Sequence, residues 1–203
     1  MPAQNSAANG SAAQPAITFT KEFPGSVPAY YSITLRSAGA AEYRAEYKAA
    51  PDDEPTELKV SEAAAQEAFR WAEKLGWFRD AKIESGKRVA QMGKKTFRYE
   101  SGADQHEVSY NHTELPEAVA LTSWFERLSA TQQHMDRIEY LLRFDRLGIV
   151  KELLQMEVDL NQDRLLEPTL LLPALNKLLA NKSLVNVAHD RAALIVEKIN
   201  AGE

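Results

Sequence analysis

Between Tyr31 and Tyr47 apolar residues fall on every second position twice, on either side of a single glycine. Tyr31, Ile33 and Leu35 alternate with Ser32, Thr34 and Arg36. After Ser37-Ala38-Gly39-Ala40, the residues Ala41, Tyr43, Ala45 and Tyr47 alternate with Glu42, Arg44, Glu46 and Lys48. A period of two places one set of side chains on one face of a strand. Pairing Leu35 with Tyr43, Ile33 with Ala45 and Tyr31 with Tyr47 gives one apolar and one charged face in a single register. A hairpin with one buried face is therefore expected. Ile17 to Phe23 supplies an earlier strand, ended by Pro24-Gly25.

The same logic continues along the chain. After a loop at Pro51-Asp52-Asp53-Glu54-Pro55, Leu58 and Val60 prolong the sheet. Ser61 is an N-cap, with Glu62 favourably placed for the helix dipole. Ala65, Phe69 and Ala72 form the stripe of a helix over residues 62–75, flanked by Ala68 and Leu75, and Gly76 stops it. Residues 88–111 predict a second hairpin, in which Phe97 faces Tyr110 and Tyr99 faces Val108 across a turn at Ser101-Gly102-Ala103-Asp104-Gln105. Pro116 fits the first turn of a following helix carrying Ala118, Leu121, Phe125 and Leu128. Residues 17–128 thus read as an α+β domain of strand hairpins each followed by a helix.

From residue 129 to 203 the period becomes helical. Thr131 is placed to cap a helix with Met135, Ile138, Leu141 and Leu142. Further segments carry Leu147, Ile149, Val150, Leu153 and Leu154, then Leu172, Leu175, Leu178 and Leu179, then Ala188, Ala192, Ile195 and Ile199. Residues 1–16 contain no Leu, Val or aromatic side chain, and only at Ile17 does apolar bulk begin. That composition predicts a disordered tail. Tails of this kind follow signal-peptide cleavage points in exported proteins, and they also begin cytoplasmic ones. Periplasmic or secreted and cytoplasmic locations both stay open. No apolar run reaches the roughly 18 residues a membrane-spanning helix needs.

The absence of cysteine excludes disulfides, thiol nucleophiles and cysteine-held metals. A formal net charge of -5 argues against the whole molecule binding a polyanion. Cations nevertheless cluster in GKRVAQMGKKTF, Gly86 to Phe97. The stretch fails as a phosphate loop, because six residues separate its glycines and Lys95 stands where a hydroxyl is needed. Nucleic-acid binding is disfavoured, because alternation sends Phe97, Tyr99 and Tyr110 to the face opposite Arg98. Lysines at a strand edge discourage edge pairing, so a solvated hairpin accounts for them. The alternative is a protein–protein interface, with Lys87, Arg88, Lys94 and Lys95 as its candidate residues.

The four histidines, His106, His112, His134 and His189, show no ligand spacing, and HExxH is absent. His134-x-Asp136 and His189-Asp190 each lack a third ligand that sequence can place. No GxSxG surrounds Ser61, Ser85 or Ser183. No catalytic, cofactor or metal residue is assigned. Trp71, Trp77 and Trp124 read as core residues.

Residues 96–128, TFRYESGADQHEVSYNHTELPEAVALTSWFERL, run from a Tyr-bearing strand through a glycine turn to a His-x-Val strand. Leu-Pro-Glu-Ala then leads into a Leu-x-x-Trp helix. This order resembles the second half of emfourin-type proteins, small β-rich inhibitors of thermolysin-like metalloproteases. Residues 17–78 are similar to the first half of that family, a hairpin followed by a helix ending near an aromatic pair. Phe23-Pro24-Gly25-Ser26 stands where the family has a glycine-rich element, no inhibitory residue carries over, and the helical third has no counterpart. The whole chain also resembles exported bacterial proteins with no assigned role. The resemblance implies a non-enzymatic protein-interaction module of protease-inhibitor type, whose protein partner and oligomeric state are open. The alternative is an enzyme whose site is assembled only in three dimensions.

Overall fold

The computed structural model describes residues 14–46 and 54–202. The chain divides into two compact units between Glu114 and Leu115. It has the α+β fold with a helical C-terminal part that the sequence pattern indicates.

In the first unit the strands are β1 (Ala16–Glu22), β2 (Tyr30–Arg36), β3 (Ala40–Glu46), β4 (Thr56–Lys59), β5 (Lys94–Ser101) and β6 (Asp104–Tyr110). They form one sheet in the order β4-β3-β2-β1-β5-β6, with every neighbouring pair antiparallel. Ala16, expected in the tail, is buried in β1, and residues 1–13 of that expected tail lie outside the described residues. β1 joins the two hairpins at the centre of the sheet. Ile17, Phe19, Tyr31, Ile33, Leu35, Tyr43, Phe97 and Tyr110 are buried on one face. Thr18, Thr20, Ser32, Thr34, Thr96 and Arg98 occupy the other, where Thr18 bonds Thr34 at 3.0 Å and Thr96 bonds Ser109 at 2.8 Å.

Both hairpins keep the expected faces but not the expected register. Ile33 pairs with Tyr43 and Leu35 with Ala41; Phe97 pairs with Val108 and Tyr99 with His106. Each is displaced by two residues, which leaves every side chain on its own face. The turns decide the difference. The N–H of Gly39 donates to Arg36 O at 2.9 Å, with φ at 86°, which closes a short loop. Gly102 has φ 59° and is the first of two loop residues between Ser101 and Asp104. Both turns are tighter than the residue runs suggested. Tyr47, the expected partner of Tyr31, lies outside the described residues, as do Pro51, Asp52 and Asp53.

Helix α1 (Glu62–Lys74) starts at Ser61, whose Oγ accepts from Ala64 N at 3.2 Å. It buries Ala65, Ala68 and Ala72. Gly76 ends it, and φ stays positive through Trp77 and Phe78. That left-handed run delivers two rings to β5. Trp77 meets Tyr99 at 4.6 Å between centroids, and Phe78 stacks on Phe97 at 5.2 Å.

The second unit contains α2 (Pro116–Phe144), α3 (Ile149–Asn161), α4 (Leu172–Ala180) and α5 (Asn186–Ala201). The two helices expected around residue 129 are one, so the expected division after Leu128 falls inside α2. Thr131 does not cap a helix start. Its hydroxyl donates to Arg127 O one turn back and to Leu166 O at 2.7 Å. Ile138, Leu141, Ile149, Leu153, Met156, Leu175, Leu178, Ala192 and Ile195 form the core of this unit. Among the described residues no helix is long and apolar enough to cross a membrane.

Candidate interaction surface

The segment from Gly86 to Phe97 is an irregular loop followed by a strand, not an arm of a hairpin throughout; β5 begins only at Lys94. Its shape is set by side chains from both flanks. The Glu84 carboxylate accepts from the backbone N–H of Asn111 at 2.5 Å and of His112 at 3.3 Å. Ser85 N donates to His112 O at 2.7 Å. Asn111 then holds the far end: its Oδ1 accepts from Met92 N at 2.7 Å and its Nδ2 donates to Ala90 O at 3.2 Å. Gly93, with φ 89°, packs so closely on Phe23 that a Cβ would sit 3.0 Å from the Phe23 Cβ.

The four candidate cations part company here. Lys87 is exposed, and its Nζ pairs with Glu114 Oε1 at 2.5 Å. The Ser85 hydroxyl donates to the other carboxylate oxygen at 3.2 Å. The hydrogen bond from Lys87 holds the Glu114 carboxyl below its ordinary value. Desolvation opposes this, while the Lys87 charge, the Ser85 bond and His112 reinforce it. Arg88 and Lys94 are exposed. Lys95 is only 6% exposed, on the same face as Phe97. Its Nζ donates to Asn111 O at 2.9 Å, Met92 O at 3.3 Å and Gly93 O at 3.4 Å, and lies 5.7 Å from the Tyr110 ring. It is thus a buried clamp on the base of the loop and cannot meet a partner. The edge-blocking role expected for these lysines also fails. β5 is flanked on both sides, by β1 and β6, so Lys94 and Lys95 stand on an inner strand.

What remains outward is Lys87, Arg88, Val89, Gln91 and Met92, with Phe23 and Lys94 beside Gly93. The surface is mixed cationic and apolar on a loop tied at both ends. Glu84 and Asn111 carry that geometry and have no signature in the sequence. Their bonds cross 27 and 19 residues, and nothing local marks a polar residue for such a task.

The histidines serve other contacts. Arg79 Nε donates to His106 Nε2 at 3.2 Å, and His189 Nε2 contacts Asn181 O at 3.0 Å. His134 does not pair with Asp136, which accepts from Gln132 instead. It is buried mid-helix between two carboxylates of α3, with Nδ1 2.6 Å from Glu152 and Nε2 3.3 Å from Asp159. Among the described residues no group of three or more His, Asp or Glu side chains is arranged to hold a metal ion. Of the three tryptophans expected in the core, Trp124 is buried, while Trp71 and Trp77 are only half-buried. No protein-family model matches the chain, and no curated protein matches it at a significant level.

Proposed function

We propose that the chain is a non-enzymatic protein-interaction module, and that the loop from Ser85 to Met92 is its binding surface. The observation that carries this reading is the grip of the Asn111 side chain on Met92 N and Ala90 O. A loop already held in one shape loses little conformational freedom when it is bound, which favours affinity. Exposed Arg88 and Met92 then offer the charged and flexible apolar contacts common at interfaces.

Protease inhibition is the specific form, because an inhibitor presents a fixed exposed loop to its enzyme. The resemblance to emfourin-type proteins directs the first assay to a thermolysin-like metalloprotease. Wild type and Arg88→Glu/Lys94→Glu would be compared as baits against host extracts and as additives to the protease. A partner captured by wild type and lost on charge reversal supports the reading. A fully active protease argues against inhibition alone. Identical recoveries with both baits, or none, would remove the loop as the interface.

A further inference from the structure

The helical unit carries a second exposed surface that does not depend on the loop reading. At the end of α2 the inward side is filled by Ile138 and Leu141. The outward side sets exposed aromatic side chains among charged ones. Tyr140 and Phe144, one turn apart, have ring centroids 5.1 Å apart, and the Arg137 guanidinium lies 5.3 Å from the Tyr140 ring. Phe144 is 71% exposed, and Leu147 in the turn Arg146–Gly148 is 89% exposed. Arg146 Nη1 donates to Ser183 Oγ at 2.9 Å, which brings Lys182 and exposed Val185 alongside.

The charges around this tip are mostly of one sign. Arg137, Arg143, Arg146, Lys151 and Lys182 are exposed. Of the nearby acids, Glu139 is paired with Lys177 at 3.2 Å, and the Asp145 carboxylate turns back to accept from Gly148 N at 3.3 Å. A cationic rim with projecting apolar side chains stands on a chain whose net charge is -5.

We infer that this tip docks on an anionic lipid surface, with Phe144 and Leu147 entering the acyl boundary and the arginines and lysines lying against headgroups. A second copy of the chain is a poor occupant, since it would set one cationic rim against another. A protein partner would have to supply a complete pocket, because side chains this exposed project and line no groove. A bilayer accepts projecting apolar groups without a preformed shape, and binding there scales with apolar burial plus attraction to anionic lipid. Tyr140 suits the boundary, with an apolar ring and a polar tip. The acidic remainder of the chain opposes docking little, because its charges are screened beyond a Debye length of about 10 Å at 0.1 M salt.

The test is sedimentation of the full chain with vesicles of phosphatidylcholine, with and without phosphatidylglycerol. Binding to the anionic vesicles only, weakening as salt is added, is expected. Phe144→Ser/Leu147→Ser and Arg143→Glu/Lys151→Glu should each weaken it roughly tenfold. Their melting curves should stay unchanged, because these side chains are exposed. No sedimentation with anionic vesicles, or binding as strong as wild type in either variant, overturns the inference. So does a lipid-free dimer that Phe144→Ser/Leu147→Ser dissolves, which would make a second copy the occupant.

Discussion

Asn111 Oδ1 accepts from the backbone N–H of Met92 at 2.7 Å, while Asn111 O receives the buried ammonium of Lys95. One residue at the end of β6 therefore holds the loop through its side chain and the loop's base through its carbonyl. Asn111→Ala removes the side-chain half alone. A lost hydrogen bond of this kind costs about 1 kcal/mol. The larger effect is on the loop: amide exchange at Met92 should accelerate, and partner capture should weaken even though Arg88 and Lys94 are intact. Exchange at Met92 equal to wild type would remove Asn111 from its assigned role.

Lys95 behaves differently from its neighbours. Lys95→Met keeps the stem but strips donors from three carbonyls, in a place water reaches poorly. Leaving buried acceptors unpaired costs roughly 1–3 kcal/mol each at most, and relaxation lowers the sum. A loss of about 2 kcal/mol in urea unfolding is expected. Lys94→Met, one residue away but exposed, should stay within about 0.5 kcal/mol of wild type. Equal effects for the two would contradict the inward placement of Lys95.

The sheet faces and the helical third were legible in the sequence because they rest on periodicity. Tyr31, Ile33 and Leu35 lie on the buried side as their spacing demands, and Ser61 caps α1 as its chemistry suggests. Register was not legible, because a slide of two residues leaves that pattern unchanged. It is decided by the backbone at Gly39 and Gly102. The continuity of α2 was hidden because Thr131 has a good capping side chain, which tertiary contact with Leu166 redirects. At the candidate surface, charge singled out the segment, but charge alone cannot say that Lys95 points inward. That follows from the carbonyls converging beneath the loop.

Gly39 gives a direct check on the first hairpin. Its φ of 86° disfavours any Cβ, and a Cβ there would lie 2.5 Å from Val60 O, a backbone atom with little room to retreat. Gly102 also has positive φ, but nothing lies within 4 Å of its Cβ position. Gly102→Ala should therefore cost about 1–2 kcal/mol from backbone strain alone. Gly39→Ala should cost more, since the Val60 N–H bond to Gly39 O must shift as well. Equal losses in parallel urea titrations would count against the tight turn.

Glu114 supplies a pH dependence confined to the loop. Its carboxyl is held low in the folded chain, first by the hydrogen bond from Lys87. A depressed folded value means the contribution is present above the ordinary carboxylate value and is lost as pH falls through the folded one. The pair is exposed, so overall stability should change little. Carbon-detected NMR titration should show the Glu114 midpoint rising toward the ordinary range in Lys87→Met. An unchanged midpoint would show that Lys87 does not hold this carboxylate in solution.

His134 joins α2 to α3 through both ring nitrogens. Asp159 has other donors, Gln155 at 3.0 Å and Arg164 at 3.3 Å, whereas the bond to His134 is the short contact of Glu152. His134→Leu should leave the Glu152 carboxylate largely buried without that donor, at roughly 2–3 kcal/mol. Replacing Glu152 by Leu as well removes the stranded charge. The double variant His134→Leu/Glu152→Leu should therefore be more stable than His134→Leu alone, which is the opposite of additive loss. Additive losses in urea unfolding would mean that the two side chains act independently, and that α2 and α3 are held by their apolar contacts alone.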